Sequence, residues 1–341
     1  MFLGFSGAPA TPPAAPTLTA PVDNSDVYDG SGITVSATST DGDLTRIDWV
    51  LDPGGSEVVV ATDAAAAYSQ TWTPSGVSVG AHTLVARAWR SGLSTDSTAI
   101  DVVLFDPTIP EAPLWWLQGD TGVTIDTGVS LWEDQSASGL DVSQATGGAQ
   151  PTLAAAAAAY NDHDVLDFDG TDDKLAGAAA SAVAALPAVG TWFVVFDFDA
   201  ITTNAAAMYV NDCLVADSVS ATAGIALRSG VPDVRPWKFD GAVKSTGHTI
   251  AATTPAVLSV KSTGDNGDVF SWLNGADPKT ADLTAALTAA AGVVQIGVNY
   301  AGAQFFNGRI AEIVAYSTAL SDALRLRVER YLGARYGISV A

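Results

Sequence analysis

Residues 305–338 read FFNGRIAEIVAYSTALSDALRLRVERYLGARYGI, and this stretch decides the fold of the C-terminal part of the chain. Gly308 follows two aromatic residues and is expected to turn the chain. From residue 310 to residue 316 the side chains alternate in a way that predicts a strand, which Ser317 and Thr318 end. A late strand followed by one closing helix is an unusual ending for a chain rich in strand signals.

The expected closing helix carries clear start and stop signals. The Ser321 hydroxyl can cap its first turn, because it can accept a hydrogen bond from an unpaired backbone amide. Asp322 near the start and Arg330 and Arg335 near the end complement the helix dipole. Gly337 is placed to end the helix. One stripe is expected to pack on the body of the protein, and its members are Leu320, Leu324, Val328, Tyr331 and Leu332.

This ending resembles that of the concanavalin A-like, laminin G-like jelly-roll modules of bacterial and phage proteins. Those modules often finish with a Gly-x-Ile-Ala-Glu-Ile strand, an Ala-Leu-Ser turn and a helix ending in Tyr-Gly-Ile. The matching residues are Gly308, Ile310, Ala311, Glu312, Ile313, Tyr316, Ala319, Leu320, Ser321, Tyr336, Gly337 and Ile338. Two further matches are LWEDQS at 131–136 and LDFDGTDD at 166–173. The resemblance spans about 114–341 and implies a fold that hosts lectins, hydrolases and structural modules alike.

Length and charge limit the possible functions. The 341 residues fit two domains better than one. With 15 Lys and Arg against 37 Asp and Glu, the net charge of −22 argues against nucleic acid or an anionic membrane as a partner. No apolar run approaches the roughly 20 residues of a membrane span. Cys213 is alone, and the first residues lack a secretory signal pattern, so we expect cytoplasmic synthesis or a signal already removed.

Four segments are expected along the chain. Residues 1–16 are rich in Ala and Pro and are expected to form an extended N-terminal arm. Residues 17–105 are expected to form an immunoglobulin-like β-sandwich. Residues 106–113, DPTIPEAP, predict a stiff linker. Residues 114–341 are expected to form the second domain. The predicted fold class is therefore all-β: an immunoglobulin-like sandwich followed by a concanavalin A-like jelly roll closed by one helix.

The first domain shows short alternating strands separated by Gly, Asp and Pro turns. Residues 33–38 and 47–51 alternate, and turns are expected at 41–43 and 52–55. The sequence resembles bacterial immunoglobulin-like repeats in its APVDN, VSAT and GAHTLVARA segments, which begin at residues 20, 35 and 80. Since it lacks the inter-sheet cysteine pair, Trp49 and Trp72 are expected to fill the core.

The second domain is expected to form two packed antiparallel sheets. Residues 191–198, TWFVVFDF, are apolar on both faces and predict a central strand. Residues 154–159 and 176–185 are rich in alanine, and in the context of this family they are expected to be loops or single helical turns.

Catalytic patterns are weak. Glucanases of this fold need two carboxylates about 5 Å apart, whereas the four glutamates after residue 105 lie at 111, 133, 312 and 329. Glu133 and Asp134 are adjacent, so on a strand they point to opposite faces. No nucleophile motif lies near His163 or His248. The sequence therefore predicts a non-catalytic protein. Glu312, between apolar residues, is expected to point inward and pair with an arginine.

Two kinds of ligand site are predicted. The aspartates Asp167, Asp169 and Asp172 offer the oxygen ligands that calcium prefers, although the same pattern also fits a tight turn whose carboxylates accept backbone hydrogen bonds. No other cofactor is expected. Aromatic side chains near loops could stack on sugar rings, and the candidates are Trp237, Tyr300 and Phe305.

Two functional classes remain open. In the first, the chain is a structural or adhesion protein of a phage virion, presenting a lectin-like domain to host-surface glycans. Its partners would be other virion proteins or copies of itself, contacted by apolar residues of the arm, namely Met1, Phe2, Leu3 and Phe5. In the second, it is a secreted bacterial protein that binds or hydrolyses glycans, with an extracellular rather than a virion-surface location.

Overall fold

The computed structural model divides the chain into two compact units, Met1–Ile109 (unit 1) and Pro110–Ala341 (unit 2). The residues that the structure describes in full are 10–28, 32–108, 111–177, 189–199, 248–263, 269–280, 295–298 and 305–341. Between residues 206 and 245 it describes the backbone of four strands, and it also gives the backbone at 281, 293 and 294.

Unit 1 is built from short strands in two sheets. The first sheet has the order β1-β3-β6, and the second has the order β2-β9-β7-β4-β5 with β8 paired to β7. The strands are β1 (Thr17–Ala20), β2 (Ser25–Tyr28), β3 (Ile33–Thr38), β4 (Arg46–Leu51), β5 (Val58–Asp63), β6 (Ser69–Trp72), β7 (Gly80–Arg90), β8 (Leu93–Asp96) and β9 (Ile100–Phe105).

The core of unit 1 lies between these sheets. Ile47, Trp49 and Leu51 alternate on β4 and are all buried, because a strand sends every second side chain to the same face. Trp72 from the other sheet is 4% exposed and joins the same cluster. The prediction that Trp49 and Trp72 fill a core without a disulfide is confirmed.

Unit 2 contains two larger sheets, one α-helix and two 3-10 turns among its described residues. Its strands are β10 (Trp115–Gln118), β11 (Val123–Ile125), β12 (Val129–Trp132), β13 (Val142–Ser143), β14 (Thr152–Ala157), β15 (His163–Asp169), β16 (Leu175–Gly177), β17 (Val189–Phe198), β18 (Ala206–Asn211), β19 (Ala223–Arg228), β20 (Asp233–Phe239), β21 (Val243–Ser245), β22 (His248–Thr249), β23 (Ala256–Thr263), β24 (Val269–Leu273), β25 (Ala276–Ala281), β26 (Val293–Ile296) and β27 (Asn307–Tyr316). The helix is α1 (Asp322–Tyr336).

The two sheets of unit 2 enclose a second core. One sheet has the order β14-β15-β27-β17-β23-β24-β25, with β10 also paired to β27. The other has the order β11-β12-β13-β16-β26-β18-β19-β20-β21, with β22 paired to β20. Phe168, Trp192 and Ile313 of the first sheet belong to the same buried cluster as Trp132 and Ile296 of the second. The predicted fold class, two β-sandwiches with a closing helix, is confirmed.

The predicted central strand is also confirmed. β17 lies between β27 and β23, paired antiparallel to both. All its residues from 190 to 198 are buried, since the inter-sheet core covers one face of the sheet and α1 covers part of the other. This explains why the strand is apolar on both faces.

Helix α1 begins and ends as its sequence signals predicted. The Ser321 hydroxyl accepts a hydrogen bond from the Leu324 amide, and Gly337 closes the helix with a φ of +69°. Val328, Tyr331 and Leu332 are buried against the outer face of the sheet, but Leu324 is only half-buried. The reason is its place in the first helical turn, beside the exposed Asp322.

Two local expectations were wrong. Gly308 does not turn the chain but lies inside β27 with a φ of +152°, and its lack of a side chain lets the backbone of β17 approach closely. Residues 152–157 form β14 rather than a loop, because they pair with β15. The end of this segment, residues 158 and 159, lies in the single 3-10 turn Ala158–Tyr160, as one of the two expected forms. Of the second alanine-rich segment, residues 176 and 177 belong to β16 rather than to a loop, and residues 178–185 lie outside the described residues.

Candidate functional site

A cavity of about 450 Å³ opens at one end of unit 2, a volume in the range of small-ligand pockets. Its walls come from the ends of three neighbouring strands, β14, β15 and β27, and from the loops beside them. The lining is mostly polar and comprises Gly148, Gln150, Thr152, Asp167, Phe168, Asp169, Asp173, Asp199 and Asn307.

Backbone pairing fixes the polar walls of this cavity. Asp169 faces Asn307 across the β15–β27 ladder, and the Asp199 amide donates to the Asn307 carbonyl at 3.1 Å. The buried Gln150 is held at both ends of its amide: Oε1 accepts from the Gly128 amide at 2.8 Å, and Nε2 donates to the Gln144 carbonyl at 2.7 Å. These side chains are therefore positioned before any ligand arrives.

The aspartate-rich turn forms one rim of the cavity. Asp169 Oδ1 accepts from the Thr171 amide at 2.7 Å, and Asp173 Oδ2 accepts from the Asp169 amide at 2.9 Å. Gly170 has a φ of +74°, which the turn requires. The interpretation as a tight turn with carboxylates on backbone amides is confirmed.

The same turn gathers carboxylates as a cation site would. Oxygen atoms of Asp169, Asp172 and Asp173 lie within 4.8 Å of one another, and the predicted ligand Asp167 lies in the wall of the cavity beside them. Sequence reasoning placed Asp173 in this carboxylate-rich turn but not among the predicted calcium ligands. The calcium prediction stays a prediction.

Negative charge accumulates in this cavity. Burial, assisted by the charge of Asp199, raises the pKa of Asp167. Burial also raises the pKa of Asp173 to about 6, with a contribution from the charge of Asp169. Nearby, the buried Asp197 is neutralised by Arg309, whose Nε lies 3.0 Å from Asp197 Oδ1. A ligand that brings positive charge or many hydroxyl donors would relieve the repulsion between these carboxylates.

The predicted aromatic and arm residues are not gathered at this site by any described contact. Trp237 belongs to β20, of which only the backbone is described. Phe305 is half-buried and forms an isolated bridge with Val298. The remaining candidates lie outside the described residues, and they are Tyr300, Met1, Phe2, Leu3 and Phe5.

A serine, a histidine and an aspartate line up elsewhere in unit 2. His248 Nε2 lies 2.8 Å from the Ser271 hydroxyl, and His248 Nδ1 lies 3.5 Å from an Asp277 oxygen. Burial lowers the pKa of His248, although the charge of Asp277 opposes this. Ser271 and His248 are both 0% exposed, so the hydroxyl is closed to solvent in the structure. No motif joins the three residues, so sequence reasoning did not predict this row.

Glu312 has the structural role that the sequence predicted. It is fully buried, and its Oε2 lies 3.4 Å from Arg335 Nε. Trp116 Nε1 donates to Oε1 at 2.7 Å, and the Tyr336 hydroxyl donates to Oε2 at 2.8 Å. The expected pairing with an arginine is confirmed, and the partner comes from the end of α1.

Comparison with known proteins gives one family match. The model of the bacterial Ig domain family matches residues 16–86, within unit 1. No curated protein matches the sequence. Within the described residues, no helix has the length and apolar character needed to cross a membrane.

Several solved structures are similar to parts of the chain. Domain 4 of AbnA, a GH43 extracellular arabinanase from Geobacillus stearothermophilus solved with arabinotriose, is 13% identical; the match covers 64% of this chain and 98% of that one, with a TM-score of 0.48. The CBM40 of the Ruminococcus gnavus IT-sialidase is 14% identical, with coverages of 50% and 96% and a TM-score of 0.38. The fibronectin(III)-like modules of Clostridium thermocellum CbhA are 24% identical, with coverages of 26% and 93% and a TM-score of 0.23.

Proposed function

We propose that this chain is a non-catalytic adhesion protein that binds glycans through the cavity of unit 2. The observation that carries the proposal is the cavity itself, because its carboxylates, amides and hydroxyl are the groups that hydrogen-bond to sugar hydroxyls. These groups sit on strand ends that the sheet holds in place, which favours a preformed site over one that closes around its ligand.

The aspartate cluster would hold a calcium ion in this proposal. Asp169, Asp172 and Asp173 supply closely spaced carboxylate oxygens, and Asp167 lines the same cavity. A bound calcium ion would offset the cost of burying the Asp173 carboxylate beside Asp169, and it would supply a further contact for sugar hydroxyls. Trp237, Tyr300 and Phe305 remain candidates for stacking on sugar rings.

The proposed setting is the surface of a phage virion, in the tail, a fibre or the capsid decoration. Unit 1 would act as a spacer, unit 2 as the head presented to host glycans, and Met1, Phe2, Leu3 and Phe5 as a contact to other virion proteins or copies of the chain. The strongly acidic composition suits an exposed surface that must stay soluble. An extracellular location on or near a bacterium is the alternative setting.

A glycan-binding assay with matched variants tests the proposal. The whole chain is applied to a panel of bacterial surface glycans with calcium and with a chelator. Asn307→Ala and Asp199→Asn should each weaken binding about tenfold or more, because the first removes a polar side chain of the cavity wall and the second removes a carboxylate charge. Asp126→Asn, an exposed aspartate outside the cavity lining, should bind like the unaltered chain. Uniform absence of binding across the panel would contradict the proposal.

Hydrolysis at the same cavity is the second candidate. The raised pKa of Asp173, about 6, is what a general acid needs, and several other carboxylates stand near it. The unaltered chain would then release reducing ends from its glycan, and Asp173→Asn would stop the release while leaving binding intact. Binding without release supports the adhesion protein instead.

A further inference from the structure

The segment just before β1 lies against the strands of unit 1, where its backbone makes four hydrogen bonds to side chains and the Thr11 hydroxyl accepts a fifth from Arg90 at 3.4 Å. Arg90 donates to the carbonyls of Thr11 and Pro12 at 3.2 and 2.8 Å. The Thr95 hydroxyl donates to the Pro13 carbonyl at 2.8 Å, and the Ala14 amide donates to Asp41 Oδ2 at 2.7 Å. We call residues 11–16 the strap, and the surface formed by Asp41, Asp43, Arg90 and Thr95 the strap groove.

Arg90 is the centre of the strap groove. Its NH1 lies 3.0 Å from Asp43 and 3.4 Å from Asp41, so two carboxylates of the β3–β4 loop orient the guanidinium. Its NH2 is then aimed at the strap carbonyls. Hydrogen bonds from a charged donor are stronger than neutral ones, and Arg90 is only 21% exposed. One side chain thus supplies two of the four bonds to the strap backbone.

The strap belongs to unit 1, and its Pro13 and Pro16 are buried, but it takes no part in the strand pairing. Each of the four bonds joins strap backbone to a side chain, whereas the strand ladder starts at β1 with Thr17 paired to Thr38. The core cluster of unit 1 likewise begins at Leu18. Pro12, Pro13 and Pro16 restrict the strap to extended shapes, so it loses little conformational entropy each time it binds.

We propose that the strap is exchanged between copies, so that the strap of one chain occupies the strap groove of a second copy of this chain. All four bonds can form between two chains as they do within one, which makes such an exchange a low-cost route to assembly. Attachment within one chain is favoured by an effective concentration in the millimolar range, so exchange is expected where copies are crowded.

A separate peptide tests whether the strap groove binds a strap that belongs to another molecule. A labelled peptide of residues 1–17 is titrated into the chain that begins at residue 17. Binding is expected, and Arg90→Gln in that chain should weaken it about tenfold or more, because two charge-assisted bonds are lost. Arg87→Gln is the matched control, since Arg87 lies on the same strand but pairs with Glu57 and Asp96. The full-length chain should bind the peptide more weakly, as its own strap competes.

Sedimentation of the full-length chain over rising concentration tests the exchange itself. Oligomers are expected at high concentration, and they should diminish in Arg90→Gln and in Thr95→Val but not in Arg87→Gln. No peptide binding by a truncated chain that still melts cooperatively would overturn the proposal. If truncation prevents folding, the full-length variants test the proposal. Oligomers that persist in Arg90→Gln and Thr95→Val would overturn it. The absence of oligomers at any concentration would also overturn it. None of these outcomes depends on glycan binding by unit 2.

Discussion

The Tyr336 hydroxyl donates a 2.8 Å hydrogen bond to Oε2 of Glu312, and both side chains are 0% exposed. The bond joins the last residue of α1 to the middle of β27. Burial raises the pKa of Glu312, while the charge of Arg335 and the hydrogen bonds from Trp116 and Tyr336 lower it. The end of the helix is therefore fixed on the sheet by a polar contact inside an apolar surface, which specifies its position more narrowly than apolar packing would.

Replacing Tyr336 with phenylalanine should destabilise unit 2. The change removes a hydrogen-bond donor to Oε2 of the buried Glu312, which should lower the free energy of unfolding by about 1–3 kcal/mol. Denaturant unfolding followed by tryptophan fluorescence would measure it. Tyr68→Phe in unit 1 is the control for loss of a phenol hydroxyl, because Tyr68 is only half-buried. Equal effects of the two changes would show that the Glu312 contact contributes nothing.

Helix packing gives a second prediction. Leu332 is 0% exposed on α1, which packs on β17 and β23, so Leu332→Ala should cost unit 2 about 2–5 kcal/mol. Leu324→Ala, at a half-buried position of the same helix, should cost clearly less. Calorimetry should show a lower melting temperature for the unit 2 transition and an unchanged unit 1 transition. An unshifted unit 2 transition would refute burial of the helix face.

Stability of unit 2 should respond to pH through Asp173. Its pKa is raised from an ordinary value near 3.8 to about 6, so the folded state binds the proton more tightly than the unfolded state does. The stabilisation is complete below about pH 4 and is lost as the pH rises through 6, a change on the order of 1 kcal/mol after solvent screening. The free energy of unfolding, measured with a chelator present, should depend less steeply on pH between 4.5 and 7 in Asp173→Asn. An unchanged dependence would mean that other groups cause it.

Local signals predicted the closing helix and the core because each depends on near neighbours in the sequence. Ser321, Asp322 and Gly337 act within one helical turn of the helix end that they define. Trp49 and Trp72 follow the two-residue period of their strands, so their burial could also be predicted.

The cavity could be predicted only in part. Asp169 and Asp173 belong to one turn, and a carboxylate-rich turn is visible in the sequence. Asn307 and Asp199 reach the same cavity only because β15, β27 and β17 are neighbours in the sheet. Strand order is set by tertiary packing, which no local pattern encodes. The same limit explains the wrong prediction of a turn at Gly308. This residue lies in β27, which pairs with β15 on one side and with β17 on the other.

The buried row of Ser271, His248 and Asp277 should be chemically silent. A serine hydroxyl with 0% exposure is out of reach of a phosphonylating reagent, even with His248 Nε2 at 2.8 Å. Intact mass after incubation with a fluorophosphonate should therefore be unchanged in the folded chain. A mass increase that disappears in Ser271→Ala would instead reveal an accessible nucleophile.

Gly308 provides the sharpest test of the sheet. It faces Phe168 of β15 on one side and Phe198 of β17 on the other, with a φ of +152°. A Cβ at this position would lie 2.5 Å from the Phe198 Cα and closer still to the Asp197 carbonyl oxygen, and both are backbone atoms of a central strand that cannot move aside. Backbone strain and overpacking together should make Gly308→Ala cost about 2–6 kcal/mol.

Gly139→Ala separates these two causes. Gly139 also has a positive φ, +62°, but a Cβ there would meet nothing within 4 Å. Its substitution should cost only the backbone term, about 1–2 kcal/mol. Thermal unfolding of unit 2 should therefore rank the unaltered chain first, Gly139→Ala second and Gly308→Ala last. Equal losses would mean that the backbone around Gly308 can yield, and that Asn307 beside it is held in the cavity wall less firmly than the strand pairing indicates.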